Sequence, residues 1–164
     1  MEYNIRTATR SDAEGIARVE AVCFPPAEAA SLEQFQERLQ VFPECYVVAE
    51  ADGKIIGALS GAVTDEAYLP DEMYHDVTLH KPDGSYQTVF GMTVDPDYQH
   101  QGIASALMRA FIQMAKERGR KGIILTCKDK LIPFYTKFGY EFQGVSDSTH
   151  GNAKWNTMLL KLDK

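Results

Sequence analysis

Apolar and polar positions change period several times along this chain. Tyr3, Ile5 and Thr7 alternate with polar neighbours and predict a first strand. Ser11 and Glu14 then make a capping-box pattern, with Ile16, Val19 and Cys23 at helical spacing behind it and Pro25-Pro26 as a stop. Ser31 and Gln34 repeat the capping signal before Leu32, Phe35, Leu39 and Phe42, which share one helical face. Residues 45–51, the turn Asp52-Gly53 and residues 54–63 read as a β-hairpin. Residues 64–83 carry Pro70 and Pro82 and no clean period, which predicts a long loop with one helical turn. A strand is expected over 86–94, a helix over 102–118 ended by Gly119, and a short apolar strand over 122–127. A short helix over 131–138 stops at Gly139, and two closing strands, 140–145 and 155–162, flank a Ser/Asp/His/Gly loop. The order is β-α-α-β-β-β-α-β-α-β-β, a mixed α/β (α+β) pattern. At 164 residues, one domain spanning 1–164 is expected.

The most informative junction lies at 89–104. An apolar run meets Pro96, then a polar loop, then a helix that opens on small residues. Helix N-termini leave backbone N–H groups without intrahelical partners, and the helix dipole favours anions there. Gly102 and Ala104 let a phosphate approach the backbone. The loop carries neither G-x-x-x-x-G-K-[ST] nor G-x-G-x-x-G. It reads Gln99-x-x-Gly102-x-Ala104, which resembles the pyrophosphate signature of the GNAT superfamily of acyl-CoA N-acetyltransferases. Within that superfamily the chain is most similar to the arylalkylamine N-acetyltransferase group. The similarity runs through Ala21–Pro25 with its Cys-Phe-Pro, Ser31–Pro43, Leu79–Gly84, the Gln99–Ala104 loop and Leu125–Gly139.

The resemblance implies a twisted, splayed mixed β-sheet flanked by helices, with acetyl-CoA as cosubstrate and no metal. It implies a cofactor-binding loop of Gln99, His100, Gln101, Gly102, Ile103, Ala104 and Ser105, whose N–H groups from about His100 to Ser105 bind the pyrophosphate, and pairing of the pantetheine arm with the backbone of Met92, Thr93 and Val94. Tyr135, in Pro-Phe-Tyr, would be the general acid for the leaving thiolate, and Phe24 and Pro25 would help hold an aromatic amine. Phe90 is a further aromatic near the acceptor mouth.

Activation of the amine is the harder step. An amine with a lysine-like pKa is mostly protonated at pH 7, and its neutral form costs about 4.6 kcal/mol. The animal members of the group carry a histidine pair where this chain has Thr88 and Phe90, and neither can be a base. His150, Glu28, His75, Asp76 and His80 are the alternatives, with ordered water beside them; His150 and Glu28 are the principal candidates. Cys127 closes an apolar strand and reads as a buried thiol, and the resemblance implies direct transfer in a ternary complex rather than a covalent intermediate on Cys127.

Composition narrows the partners. The net charge of −6 and pI near 5.2 argue against sequence-independent nucleic-acid binding and against a basic membrane patch. Asp65, Glu66, Asp71, Glu72 and Asp76 would attract a cationic amine or simply solvate a loop. Three widely spaced cysteines without C-x-x-C, no signal-peptide core and no long apolar run suggest a cytoplasmic protein. The expected partner is a small amine, with a monomer or homodimer in solution. A polyamine, an aminoglycoside or a peptide N-terminus is the alternative acceptor, and a non-catalytic acyl-CoA-binding module the alternative role.

Overall fold

The computed structural model describes residues 2–146, 148 and 154–162. The chain forms two compact units: Met1–Gly61 with Gly91–Gln113, and Ala62–Phe90 with Met114–Lys164.

The first unit is an antiparallel sheet with helices. Strands β1 (Asn4–Thr7), β2 (Tyr46–Ala51), β3 (Lys54–Ser60) and β6 (Gly91–Val94) lie in the order β1-β2-β3-β6. The Asp52-Gly53 turn joins β2 and β3 with both residues at positive φ, as a two-residue hairpin turn demands. Helices α1 (Ala13–Cys23) and α2 (Leu32–Val41) bury Ile16, Val19, Phe35 and Leu39. The capping box before α2 forms as the spacing predicts, with Ser31 Oγ accepting from Gln34 N and Gln34 Oε1 from Ser31 N. The one before α1 does not involve Ser11 and Glu14. Asp12 accepts from Thr9 N at 2.8 Å and holds both terminal nitrogens of Arg6 from β1, which starts the helical path two residues earlier. Arg6 keeps the Asp12 carboxyl below the usual carboxylate range. Helix α3 (Ile103–Glu117) packs on β3, where a Cβ on Gly57 would meet Leu107 Cδ1 at 3.2 Å and Thr93 O at 2.8 Å.

The second unit is a mixed sheet ordered β4-β5-β7-β9-β8, from β4 (Val63–Thr64), β5 (Tyr86–Val89), β7 (Gly122–Cys127), β9 (Asn156–Lys161) and β8 (Glu141–Val145). Among the described residues only β5 and β7 pair in parallel. Helix α4 (Ile132–Thr136) follows a tight turn over Asp129–Leu131 and is shorter than the 131–138 expected from sequence.

Two predicted strands divide. The strand expected over 54–63 ends at Ser60, and Val63–Thr64 instead pairs with β5. The strand expected over 86–94 breaks at Phe90: Val89 opposes Leu125 in the second sheet, while Gly91 opposes Ser60 in the first. Both stretches are β-like, and alternation along a strand does not say which partner it takes. The interval 64–83 contains two 3-10 turns, Asp71–Tyr74 and Val77–Leu79, anchored by buried Leu69 and Met73. Among the described residues no helix is long and apolar enough to cross a membrane.

Candidate functional site

The first unit offers a strand, a turn and a helix start made largely of backbone. Strand β6 ends its sheet, so one of its edges pairs with β3 and the other faces away from that sheet. Asp95 then fixes the turn. Its N–H donates to Ile56 O at 2.7 Å, its Oδ1 accepts from Asp97 N at 3.0 Å, and its Oδ2 meets Arg18 Nη1 at 3.2 Å. The Asp97 N–H, helped by Arg18, keeps this buried carboxyl ionised below the ordinary range. His100 and Gly102 have φ of +64° and +79°. A non-glycine residue at positive φ is uncommon, and two such turns within three residues fold the loop tightly over the helix start. Gly102 O accepts from Ala106 N at 3.0 Å, which places Ile103, Ala104 and Ser105 in the first helical turn. A Cβ on Gly102 would meet no atom within 4 Å, so space lies open above the loop.

The sequence-expected cofactor residues Met92, Thr93, Val94 and Gln99 to Ser105 therefore lie on one continuous segment of this unit. Ile103 and Thr93 bury their side chains, so their backbone is what they can offer a ligand. Cys23 Sγ donates to Val94 O at 3.3 Å, and the Phe24 ring reaches the start of β6, 3.9 Å from the Cβ position of Gly91. Phe24 and Glu28 are half-buried, whereas Pro25 is exposed on the turn that follows α1.

The second unit offers side chains. Tyr135 sits on α4, 6% exposed, with its ring edge-on to Phe134 and Tyr140 at centroid distances of 5.2 and 5.5 Å. Burial pushes its phenol above the ordinary tyrosine range, and Cys127 and Tyr74 reinforce the shift. Cys127 closes β7, buried against Met158 Sδ at 3.7 Å. Burial, with Asp129 adding to it, pushes its thiol up to about 11. Asn156 braces the bend after β7 by donating to Cys127 O at 3.1 Å and to Asp129 Oδ1 at 2.7 Å.

The positions that replace the expected histidine pair are closed to proton transfer in different ways. Thr88 is fully buried and donates to Ala62 O at 2.8 Å. Phe90 packs against Tyr74, with ring centroids 4.8 Å apart. Two other base candidates serve their own segment. Val63 N donates to His80 Nδ1 at 3.0 Å, and exposed Asp76 accepts both the backbone and the hydroxyl of Thr78. Asp65, Glu66, Glu72 and Asp76 are all exposed. His150 lies outside the described residues.

Three residues escaped the reading of the sequence. Asp95 had a signal, because Asp-Pro-Asp is a turn composition. Asn156 had a weak one, a polar residue opening an apolar strand. Tyr74 had none, since its segment carries no period.

Comparison with known proteins agrees with this arrangement. Serotonin N-acetyltransferase of Mesocricetus auratus is 25% identical over 161 residues, covering 96% of this chain and 76% of that protein. Among solved structures, the GphF GNAT-like decarboxylase in complex with isobutyryl-CoA superimposes with a TM-score of 0.85 at 19% identity, covering 98% of this chain and 100% of that one. The yncA protein of Salmonella typhimurium, solved with its cofactor acetyl-CoA, gives 0.73 at 15% identity, covering 100% and 96%. The model of the acetyltransferase (GNAT) family matches residues 13–140, a span that includes both the Asp95–Ser105 turn and Tyr135. The chain belongs to that family.

Proposed function

We propose that the chain transfers the acetyl group of acetyl-CoA directly to the primary amine of a small molecule, an arylalkylamine being the preferred class. The reading assigns the pyrophosphate to N–H groups between Gln99 and Ser105 and the pantetheine amides to the backbone of Met92, Thr93 and Val94. These donors need no side-chain charge, because a helix start and oriented amides already favour an anion.

The observation that carries the transfer step is Tyr135, a buried phenol held protonated through and beyond neutral pH. In the proposed step the amine nitrogen bonds to the thioester carbonyl carbon and the carbon–sulfur bond breaks. The departing thiolate takes the phenolic proton of Tyr135, and the nitrogen's surplus proton leaves to Glu28, His150 or water. A thiolate with a conjugate-acid pKa of about 8.5 departs tolerably unaided, so an acid contributes on the order of 10²-fold. The aryl preference rests on Phe24 beside β6 and on the hamster relative.

A second acceptor class has its own observation. The exposed carboxylates Asp65, Glu66, Glu72 and Asp76 favour a polycation. A thiol-release assay with acetyl-CoA and phenethylamine, tryptamine, spermidine, an aminoglycoside and a short peptide separates the readings. Arylalkylamines should give the highest kcat/KM. Spermidine ahead of them would transfer the assignment to polyamines, and calorimetric binding of CoA without thiol release from any amine would leave a binding module.

A further inference from the structure

The least expected contact in the second unit is that of Tyr74 with Phe90. Tyr74 ends the 3-10 turn Asp71–Tyr74, which buried Met73 pins to the unit. Its ring lies tilted by 33° on Phe90, with centroids 4.8 Å apart. Its hydroxyl stands 3.5 Å from Thr126 Oγ1, one residue before Cys127 on β7, at the outer limit of a hydrogen bond. It is also near enough to Tyr135 that a charge on one would raise the other. The fold therefore gathers Tyr74, Phe90, Thr126 and Tyr135 within one unit. Tyr74 and Phe90 are both half-buried. Asp71, on the same turn, accepts from Ser148 Oγ at 2.5 Å.

We infer that Tyr74 is a specificity-determining residue of the acetyl-transfer site, its ring continuing that of Phe90 into an aromatic wall that selects acceptor amines carrying an aryl group. The inference rests on the acetyl-transfer reading and goes further by naming the residues that choose the acceptor. Flat rings stack on such a wall in offset or edge-on geometry, a contact that an aliphatic chain cannot make. The hydroxyl of Tyr74 is secondary in this role, because its bond to Thr126 is long and the contact that selects is made by the ring.

The experiment compares the parent with Tyr74→Phe, Tyr74→Leu and Tyr74→Ala, using phenethylamine and n-butylamine as acceptors and thiol release as the readout. Tyr74→Phe keeps the ring and should hold the ratio of the two kcat/KM values within about twofold. Tyr74→Leu keeps apolar volume without a π face and should lower that ratio about tenfold, mainly through KM for phenethylamine. The KM for acetyl-CoA should stay unchanged. Tyr74→Ala should lower the ratio at least as far, and melting curves show whether it folds; if it does not, the leucine variant decides. A ratio unchanged in Tyr74→Leu, or equal losses for both amines, overturns the role of Tyr74 and leaves acetyl transfer standing. A parent that binds acetyl-CoA but releases no thiol with either amine or with any other overturns the acetyl-transfer reading, and this inference falls with it.

Discussion

The Asp95–Ser105 turn and the Tyr135 cluster achieve opposite things with opposite materials. The turn is built from backbone: two positive-φ residues, a glycine with open space above it, and a helix start. Its side chains serve to hold that backbone, as Asp95 does through Asp97, Ile56 and Arg18. The Tyr135 cluster is built from side chains brought together out of α4, β7, β9 and the Asp71–Tyr74 turn. Backbone donors bind an anion almost whatever the neighbouring side chains are. A proton donor works only if one phenol stands in one environment. The first region should therefore fail when its geometry or charge is altered, and the second when one functional group is removed.

The largest effect that would break this comparison is at Gly102. Gly102→Asp places a carboxylate beside the N–H groups proposed to hold a diphosphate. It also forces an L side chain into positive φ, at a cost of about 1–2 kcal/mol. Like-charge repulsion near a protein surface adds a few kcal/mol more. Affinity for CoA by calorimetry should fall by about 10³-fold, with the melting temperature lowered by roughly 2–8 °C from the backbone strain alone. Gly102→Ala carries the strain without the charge and meets no neighbour within 4 Å. It should cost only about 5- to 30-fold. Equal losses in the two variants would mean that the loop binds no anion.

Tyr135→Phe tests the other region. The kcat should fall about 10²-fold while KM for acetyl-CoA changes less than threefold. A kcat within twofold of the parent removes Tyr135 from the chemistry. The pH profile sharpens the point. Below the pKa of the amine, kcat/KM should rise about tenfold per pH unit as the neutral nucleophile appears. Burial raises the Tyr135 phenol, so the acid form persists and no alkaline fall is expected below pH 10. A fall centred near pH 8 would identify a different acid.

The two regions were also unequally legible. Gln99-x-x-Gly102-x-Ala104 is contiguous, so the anion site proposed there can be read from a string of letters. Helices α1, α2 and α3 were legible because their buried faces repeat at helical spacing, and Ser31 with Gln34 caps α2 where the pattern placed it. The break at Phe90 was not legible, because strand partners are chosen across the fold and both sides of the break favour extended backbone. Tyr135 stood out through resemblance alone, since its neighbours Cys127 and Tyr74 lie 8 and 61 residues away in sequence. Ser11 misled because Asp12, one residue on, can cap Thr9 and pair with Arg6 together, an advantage that only tertiary structure supplies.

A smaller effect is expected at Asn156, which supports the second region without joining its chemistry. Asn156→Ala removes the donors from Cys127 O and Asp129 Oδ1. A buried carbonyl left without its partner costs about 1–3 kcal/mol, so Tm should drop by roughly 2–12 °C. The bend it braces leads into the turn before α4, so kcat should fall severalfold and far less than in Tyr135→Phe. A loss as large as that of Tyr135→Phe would make Asn156 part of the reaction.

The smallest effect should come from Cys127, and its smallness is informative. Cys127 and Tyr135 share the same burial, and burial raises both. For a nucleophile that shift is disabling, because the thiolate is the reactive form and a thiol at about 11 is almost wholly protonated at pH 7. For a general acid the same shift adds nothing to protonation, since an ordinary tyrosine already holds its proton at pH 7, and it makes the phenol a weaker donor that gives up its proton only as charge develops on the departing sulfur. Cys127→Ala should therefore leave kcat within about twofold, with initial-rate patterns that intersect, as a ternary complex requires, instead of running parallel. Stability carries the same sign. The unfolded thiol ionises near its ordinary value of 9.0 while the folded one holds its proton to about 11, so folding stability falls as pH rises through this window. The alanine variant should lose that slope between pH 9 and 10 in denaturant titrations. Parallel rate patterns, or a kcat loss near 10²-fold, would mean that the thiol is the acyl carrier and that burial in this cluster serves a covalent route.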